Sequence, residues 1–74
     1  MKESTKASLD RYVKEKIPTG DFLQAVLENN LLMSYSRADL ENKRDLYEII
    51  RYVYNELPGD CWGSPEKVKN WLER

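Results

Sequence analysis

Histidine is absent from this sequence, and cysteine occurs once, at Cys61. Without an imidazole no Ser-His or Cys-His nucleophile can be assembled, which removes most hydrolase chemistry. A lone cysteine excludes an intrachain disulfide, and the two shortages together exclude a zinc site of the usual Cys/His kind. Long hydrophobic runs are missing as well. The longest strongly apolar stretch is Leu31-Leu32-Met33, far short of the roughly 20 residues that cross a bilayer. The opening Met1-Lys2-Glu3-Ser4 leads into no signal-peptide core. Neither sign of charge dominates, with 12 basic residues interspersed among 13 acidic ones, so a broad nucleic-acid-binding face is not expected. From these absences a cytosolic, non-enzymatic protein is expected, with no metal, cofactor or membrane partner and without a broad nucleic-acid-binding surface, a local pocket aside. A single unpaired thiol agrees with a reducing compartment.

The chain has 74 residues, enough for one helical domain spanning 1–74 with a core that supplies only about 3–5 kcal/mol. Small domains are usually reinforced by disulfides, a metal or self-association. The first two are excluded, so a homo-oligomer is expected.

Helical periodicity runs through most of the chain, and no stretch alternates as a strand does. Ser4 or Thr5 is placed to cap a first helix whose Leu9, Tyr12, Val13 and Ile17 share one face, with Pro18 ending it. A second helix is predicted from about Asp21 to Asn29, with Phe22, Leu23, Val26 and Leu27 as its apolar stripe. Asn29-Asn30 is the stop, since asparagine tolerates the left-handed conformation, and Leu31 to Tyr35 forms a short further piece. Asp39 caps the strongest element, Leu40 to Glu56, which carries Leu46, Ile49, Ile50, Val53 and, just beyond it, Leu57. Pro58-Gly59 closes that helix. Ser64 as cap, Pro65 at the first helical position and Glu66 in the first turn announce the last one, with Val68, Trp71 and Leu72 as its buried edge. The fold class is therefore all-α: a compact bundle of four to five short helices. Leu9-x-Arg11-Tyr12-Val13 with Ile17-Pro18 also echoes Ile49-x-Arg51-Tyr52-Val53 with Leu57-Pro58 at a constant offset, either as two helix-turn-helix hairpins or as chance convergence of two helix ends.

Few constellations could carry chemistry. Asp39/Glu41 and Glu66/Glu73 read as solvated faces or dipole partners rather than acid-base pairs. Cys61 has no flanking cation to lower its pKa and reads as a small buried thiol. The long helix is more suggestive. Arg44, Tyr47, Arg51 and Tyr54 recur three, four and three residues apart and so form one stripe beside the aliphatic face. Two guanidiniums among two phenols suit a phosphate and a base. They suit equally a protein interface, or a rim of side chains flanking the core. The turns at Gly20-Asp21 and Gly63-Ser64-Pro65 expose backbone N–H groups that could hold an anion, with Trp62 beside the second as a stacking surface. Asp21 and Ser64 could instead satisfy those helix starts themselves, and Trp62 and Trp71 could simply be core.

Three segments are familiar when taken together: Ile17-Pro18-x-Gly20-x-Phe22-Leu23-x-Ala25-Val26-Leu27-x-Asn29, then Arg37-Ala38-Asp39-x-x-Asn42, then Cys61-Trp62-Gly63-Ser64-Pro65-Glu66-x-Val68. The pattern resembles small uncharacterised helical proteins encoded in bacteriophages and prophages, over most of the chain from Tyr12 to Leu72. Cys-Trp-Gly-Ser-Pro-Glu is its most specific piece. The chain departs from it at Asn30, where an acidic residue is common. The resemblance carries over no functional residues. It implies a phage accessory protein, dispensable for the virion, acting in the host bacterial cytoplasm on host physiology or defence. In that setting one expectation is an oligomer that sequesters a nucleotide-derived signal, with Arg44 and Arg51 on the phosphate, Tyr47 or Trp62 on the base, and Tyr54 and Ser64 nearby. The other is a protein-binding inhibitor or adaptor that turns the Tyr/Arg face to a host partner.

Overall fold

The computed structural model describes all of residues 1–74 and contains helices and turns but no strand. Five α-helices follow one another: α1 (Glu3–Glu15), α2 (Asp21–Leu27), α3 (Leu31–Arg37), α4 (Leu40–Glu56) and α5 (Pro65–Glu73). A single 3-10 turn, Gly59–Cys61, joins the last two. The predicted all-helical class and the extent of α4 are as observed.

Local chemistry explains most boundaries. Asp39 accepts a hydrogen bond from the Asn42 amide at 2.7 Å and starts α4. Ser64 does the same for the Lys67 amide at 3.1 Å, with Pro65 following in the first turn of α5. Both carboxylate and hydroxyl satisfy a donor that the first helical turn leaves without a partner. Between α2 and α3, Asn29 turns left-handed at φ 62°. The Asn30 amide then reaches back to the Ala25 carbonyl at 2.9 Å and the Asn29 amide to Val26 at 3.0 Å. This is a Schellman ending built on asparagine instead of glycine. The Asn30 side chain at once caps α3 by accepting from the Met33 amide at 3.2 Å, so two residues stop one helix and start the next.

The first helix differs from expectation at both ends. Neither Ser4 nor Thr5 caps it: Lys2 occupies the N-cap without a side-chain bond, and Thr5 lies buried inside the first turn. Pro18 does not end it either. Lys16 takes the left-handed conformation at φ 56° and donates its amide to the Tyr12 carbonyl, so the helix stops at Glu15. Ile17 thereby leaves the helical register and is 44% exposed. Its counterpart in the internal echo, Leu57, is 7% exposed, so the echoed segments end in different environments. The second helix stops at Leu27, two residues before the predicted end, while α3 runs two residues past Tyr35.

The core gathers where α1, α2, α4 and α5 meet, around Leu9, Tyr12, Leu27, Ile49 and Cys61, which are essentially without solvent contact. Tyr12 is its hub. Its hydroxyl donates to the Cys61 carbonyl at 2.8 Å, and its own carbonyl accepts from the Trp71 indole at 3.0 Å. One residue of α1 therefore fastens the 3-10 turn and α5 together. Tyr52 on α4 donates to the Asp10 carboxylate at 2.7 Å and adds a bond between the two longest helices. The buried thiol of Cys61 faces the Pro58 carbonyl at 3.1 Å, which agrees with its reading as an inert packing residue. Burial pushes both that thiol and the Tyr12 phenol above their ordinary pKa values.

Candidate interaction face on α3 and α4

Arg44, Tyr47, Arg51 and Tyr54 all lie on the solvent side of α4. Its buried direction is set by Ile49 and Val53. At about 100° per residue, Leu40, Arg44, Tyr47 and Arg51 fall on the opposite side of the helix. Tyr47 is 74% exposed and Tyr54 70%, so the stripe stands outward instead of flanking the core as a rim. The Arg51 guanidinium lies 5.9 Å from the centre of the Tyr47 ring, a pairing of cation and π-face.

Trp62 is positioned by the loop before α5. The Gly63 amide donates to the Leu27 carbonyl at 2.7 Å, tying that loop to the end of α2. Gly63 itself sits at φ 121°, in a region L side chains rarely enter. Trp62 is held half-buried, with its ring 5.8 Å from that of Tyr54 and tilted by 55°. Its indole N–H is buried without an acceptor, a state that ordinarily costs about 1–3 kcal/mol. The fold thus brings Tyr54 and Trp62 together, and Arg51 against Tyr47, while no hydrogen bond, ion pair or cation–π pairing joins Arg44 or Ser64 to either pair. The Ser64 hydroxyl is engaged in capping α5.

Beside the Tyr54–Trp62 pair lies a cavity of about 100 Å³ whose walls include Val26, Leu31, Ile50, Val53, Tyr54 and Trp62. Asn29, Asn30 and Ser34 add polar groups to its lining. Ile50, expected in the core, is 42% exposed and forms part of this wall. It lies on the flank of α4 opposite Tyr52, and the short α3 does not extend over it. On α3 and α4 the surface carries several further large apolar side chains that the sequence reading had not assigned to a site. Leu31, Leu32 and Tyr35 are exposed on α3, and Leu40 on α4. Tyr35 is held against α4 by the Lys43 ammonium, 4.5 Å from its ring centre. The clue available from sequence was the width of the apolar arc on α4, broader than its short neighbours cover.

Charge on α4 is sorted as sharply as polarity. The cap Asp39 and the residue Glu41 both pair with Lys2, at 3.8 and 3.4 Å. Asp45, at 3.9 Å, and Glu48 pair with the Met1 amine. Four carboxylates thus share two cations of the segment leading into α1, which leaves that flank acidic. Lys43, Arg44 and Arg51 belong to no ion pair, and α3 contains no acidic residue. The result is a basic, aromatic and aliphatic face on a chain whose net charge is −1.

Nowhere do three or more Cys, Asp or Glu side chains converge in a way that could hold a metal ion. No helix is long and apolar enough to cross a membrane. No family model, curated protein or solved structure matches the chain.

Proposed function

We propose that the protein is a non-enzymatic inhibitor or adaptor that binds another protein through the α3–α4 face, with the cavity beside Trp62 as the anchor site. The observation that carries this reading is the exposure of large apolar and aromatic side chains on α3 and α4, of which Leu31, Ile50 and Tyr54 line one cavity. Contiguous apolar surface of that kind marks interaction sites in soluble domains, and tyrosine and arginine are enriched where binding energy concentrates. Cavity size points the same way. About 100 Å³ accommodates one anchoring side chain but is well below the roughly 300–1,000 Å³ of small-molecule sites. In the phage context suggested by the sequence resemblance, the partner would be a host protein. The test is photo-crosslinking in bacterial cells, with benzoylphenylalanine placed in turn at Tyr47, Tyr54 and, on exposed α1, Arg11. One protein adduct shared by the first two positions and missing from the third is expected. Equal labelling from Arg11, or no adduct from α4, would overturn the reading.

Sequestration of a nucleotide-derived signal by a homo-oligomer is the second reading, and one observation favours it. Arg44 and Arg51 are both free of ion pairs and lie two turns apart, about 10 Å along the helix, on either side of Tyr47. Since the cavity beside Trp62 is too small for a nucleotide, a ligand stacked on that ring would be shared between copies. Calorimetry with cyclic dinucleotides and ADP-ribose tests this. Binding tighter than about 100 μM, roughly −5.5 kcal/mol, is expected to weaken at least tenfold in Arg51→Ala. Absence of such binding removes this reading and leaves the first intact.

A further inference from the structure

If the α3–α4 face docks a protein, as proposed above, its charge and shape restrict the partner further. We infer that the element it receives is an acidic amphipathic helix, lying along α4 between Leu40 and Tyr54 and inserting one aliphatic or aromatic side chain beside Trp62. The stretch from Leu40 to Tyr54 is about 21 Å long, which matches four turns of a partner helix. Three cations on or beside that line, Lys43, Arg44 and Arg51, have no ion-pair partner, while Asp39, Glu41, Asp45 and Glu48 are already held by Lys2 and the Met1 amine. An arriving acidic residue on that line therefore meets unpaired positive charge, while Glu41 and Asp45 lie on the other flank of α4, the arrangement that steers complementary partners together. Leu31, Leu40, Ile50 and Tyr54 present apolar surface to the other face of the same helix, the groove mode of recognition read as i, i+3, i+4, i+7 anchors.

Two other occupants fit less well. A second copy packed antiparallel across Tyr47 would set Arg51 of each chain against Lys43 of the other, and like charges in register oppose docking. A nucleic acid would match the cations but leave the exposed leucines and Ile50 without apolar partners. Three cations also supply few of the phosphate contacts on which such binding depends.

The test uses the whole chain, ¹⁵N-labelled, and three synthetic helical peptides of about 15 residues. One carries leucine at i, i+3, i+4, i+7 with glutamate elsewhere. The second keeps the leucines and replaces glutamate by lysine, and the third keeps glutamate and replaces leucine by serine. The glutamate-leucine peptide is expected to bind at least tenfold more tightly than either other peptide. It should shift amides of α3 and α4 and the Trp62 indole resonance while leaving the Trp71 indole in place. The Arg44→Glu/Arg51→Glu double variant, altered only at exposed positions, should reverse the preference toward the lysine peptide. Equal or stronger binding of the lysine or serine peptide to the native protein, or failure of all three, would overturn the inference. If it falls while the Tyr47 and Tyr54 crosslinks persist, the docking reading survives with a partner of different chemistry. If the crosslinks are absent too, both are lost.

Discussion

The two sides of α4 obey different rules. On the inner side polar groups are paired and apolar ones buried: the Tyr12 hydroxyl bonds to the Cys61 carbonyl, the Trp71 indole bonds to the Tyr12 carbonyl, and Ile49 and Val53 are closed off from solvent. On the outer side leucines, tyrosines and Ile50 face water, three cations lack counter-ions, and the Trp62 indole N–H has no acceptor. A chain this small has little stability to spare. Leaving apolar area uncovered on one side of its longest helix forgoes stabilisation of about 25 cal/mol per Å². The inner side therefore maintains the fold, and the outer side contributes little to it.

Breaking the inner side should have the largest effect. Leu9→Ala, at a position without solvent exposure, is expected to cost about 2–5 kcal/mol because the cavity left behind cannot fully collapse. That is comparable with the whole stability of such a domain, so loss of the cooperative melt by circular dichroism is the expected result. Trp71→Ala should cost about 3 kcal/mol, at the lower end for a large aromatic because the ring is only half-buried. A melting temperature unchanged in either variant would show the inner side to be less essential than the contrast requires.

The next effect concerns single polar atoms. Tyr12→Phe keeps the ring and deletes only the hydroxyl, leaving the Cys61 carbonyl without its donor. A loss of about 1–3 kcal/mol in a denaturant titration is expected. The same phenols set the response to alkali. Hydrogen bonding to Asp10, with burial second, pushes the Tyr52 phenol up to about 12 from its ordinary 10, and burial raises that of Tyr12 further. A raised folded-state pKa means stability fully present below pH 10 and lost as pH climbs through the folded values. Unfolding should therefore set in above about pH 10, and Tyr52→Phe should remove part of that dependence. Stability flat to pH 12 would contradict the hydrogen bond to Asp10.

The smallest effects belong to the outer face. Leu40→Ala and Tyr47→Ala are each expected to change stability by no more than about 0.5 kcal/mol, as for ordinary surface positions. A loss above 1 kcal/mol in either would mean that the side chain packs against the fold, and would erase the distinction between the two sides.

What the sequence disclosed of this arrangement follows from the range of the forces involved. Asp39, Ser64-Pro65 and Asn29-Asn30 act on neighbours a few residues away, so the starts of α4 and α5 and the break between α2 and α3 were legible from them. Lys16 was not, because nothing local marks a lysine for the left-handed region, and Pro18 drew attention to a boundary already passed. The Arg44–Tyr54 stripe was visible from spacing alone. Its outward direction, and the transfer of Ile50 from core to cavity wall, depended on how little of α4 the short α3 covers. The pairings of Tyr54 with Trp62 and of Glu41 and Glu48 with Lys2 and the Met1 amine join segments that no periodicity relates.

Ile50→Asp separates the two sides most directly, because Ile50 belongs to the helix that forms the core yet lines the proposed anchor cavity. The measurement is the yield of the Tyr47 photo-crosslink in this variant, taken at a temperature where circular dichroism shows it folded. A melt close to that of the native protein together with loss of the adduct is the expected result. A full adduct yield, or a variant that does not fold, would contradict the claim that the α3–α4 face is a docking surface distinct from the core.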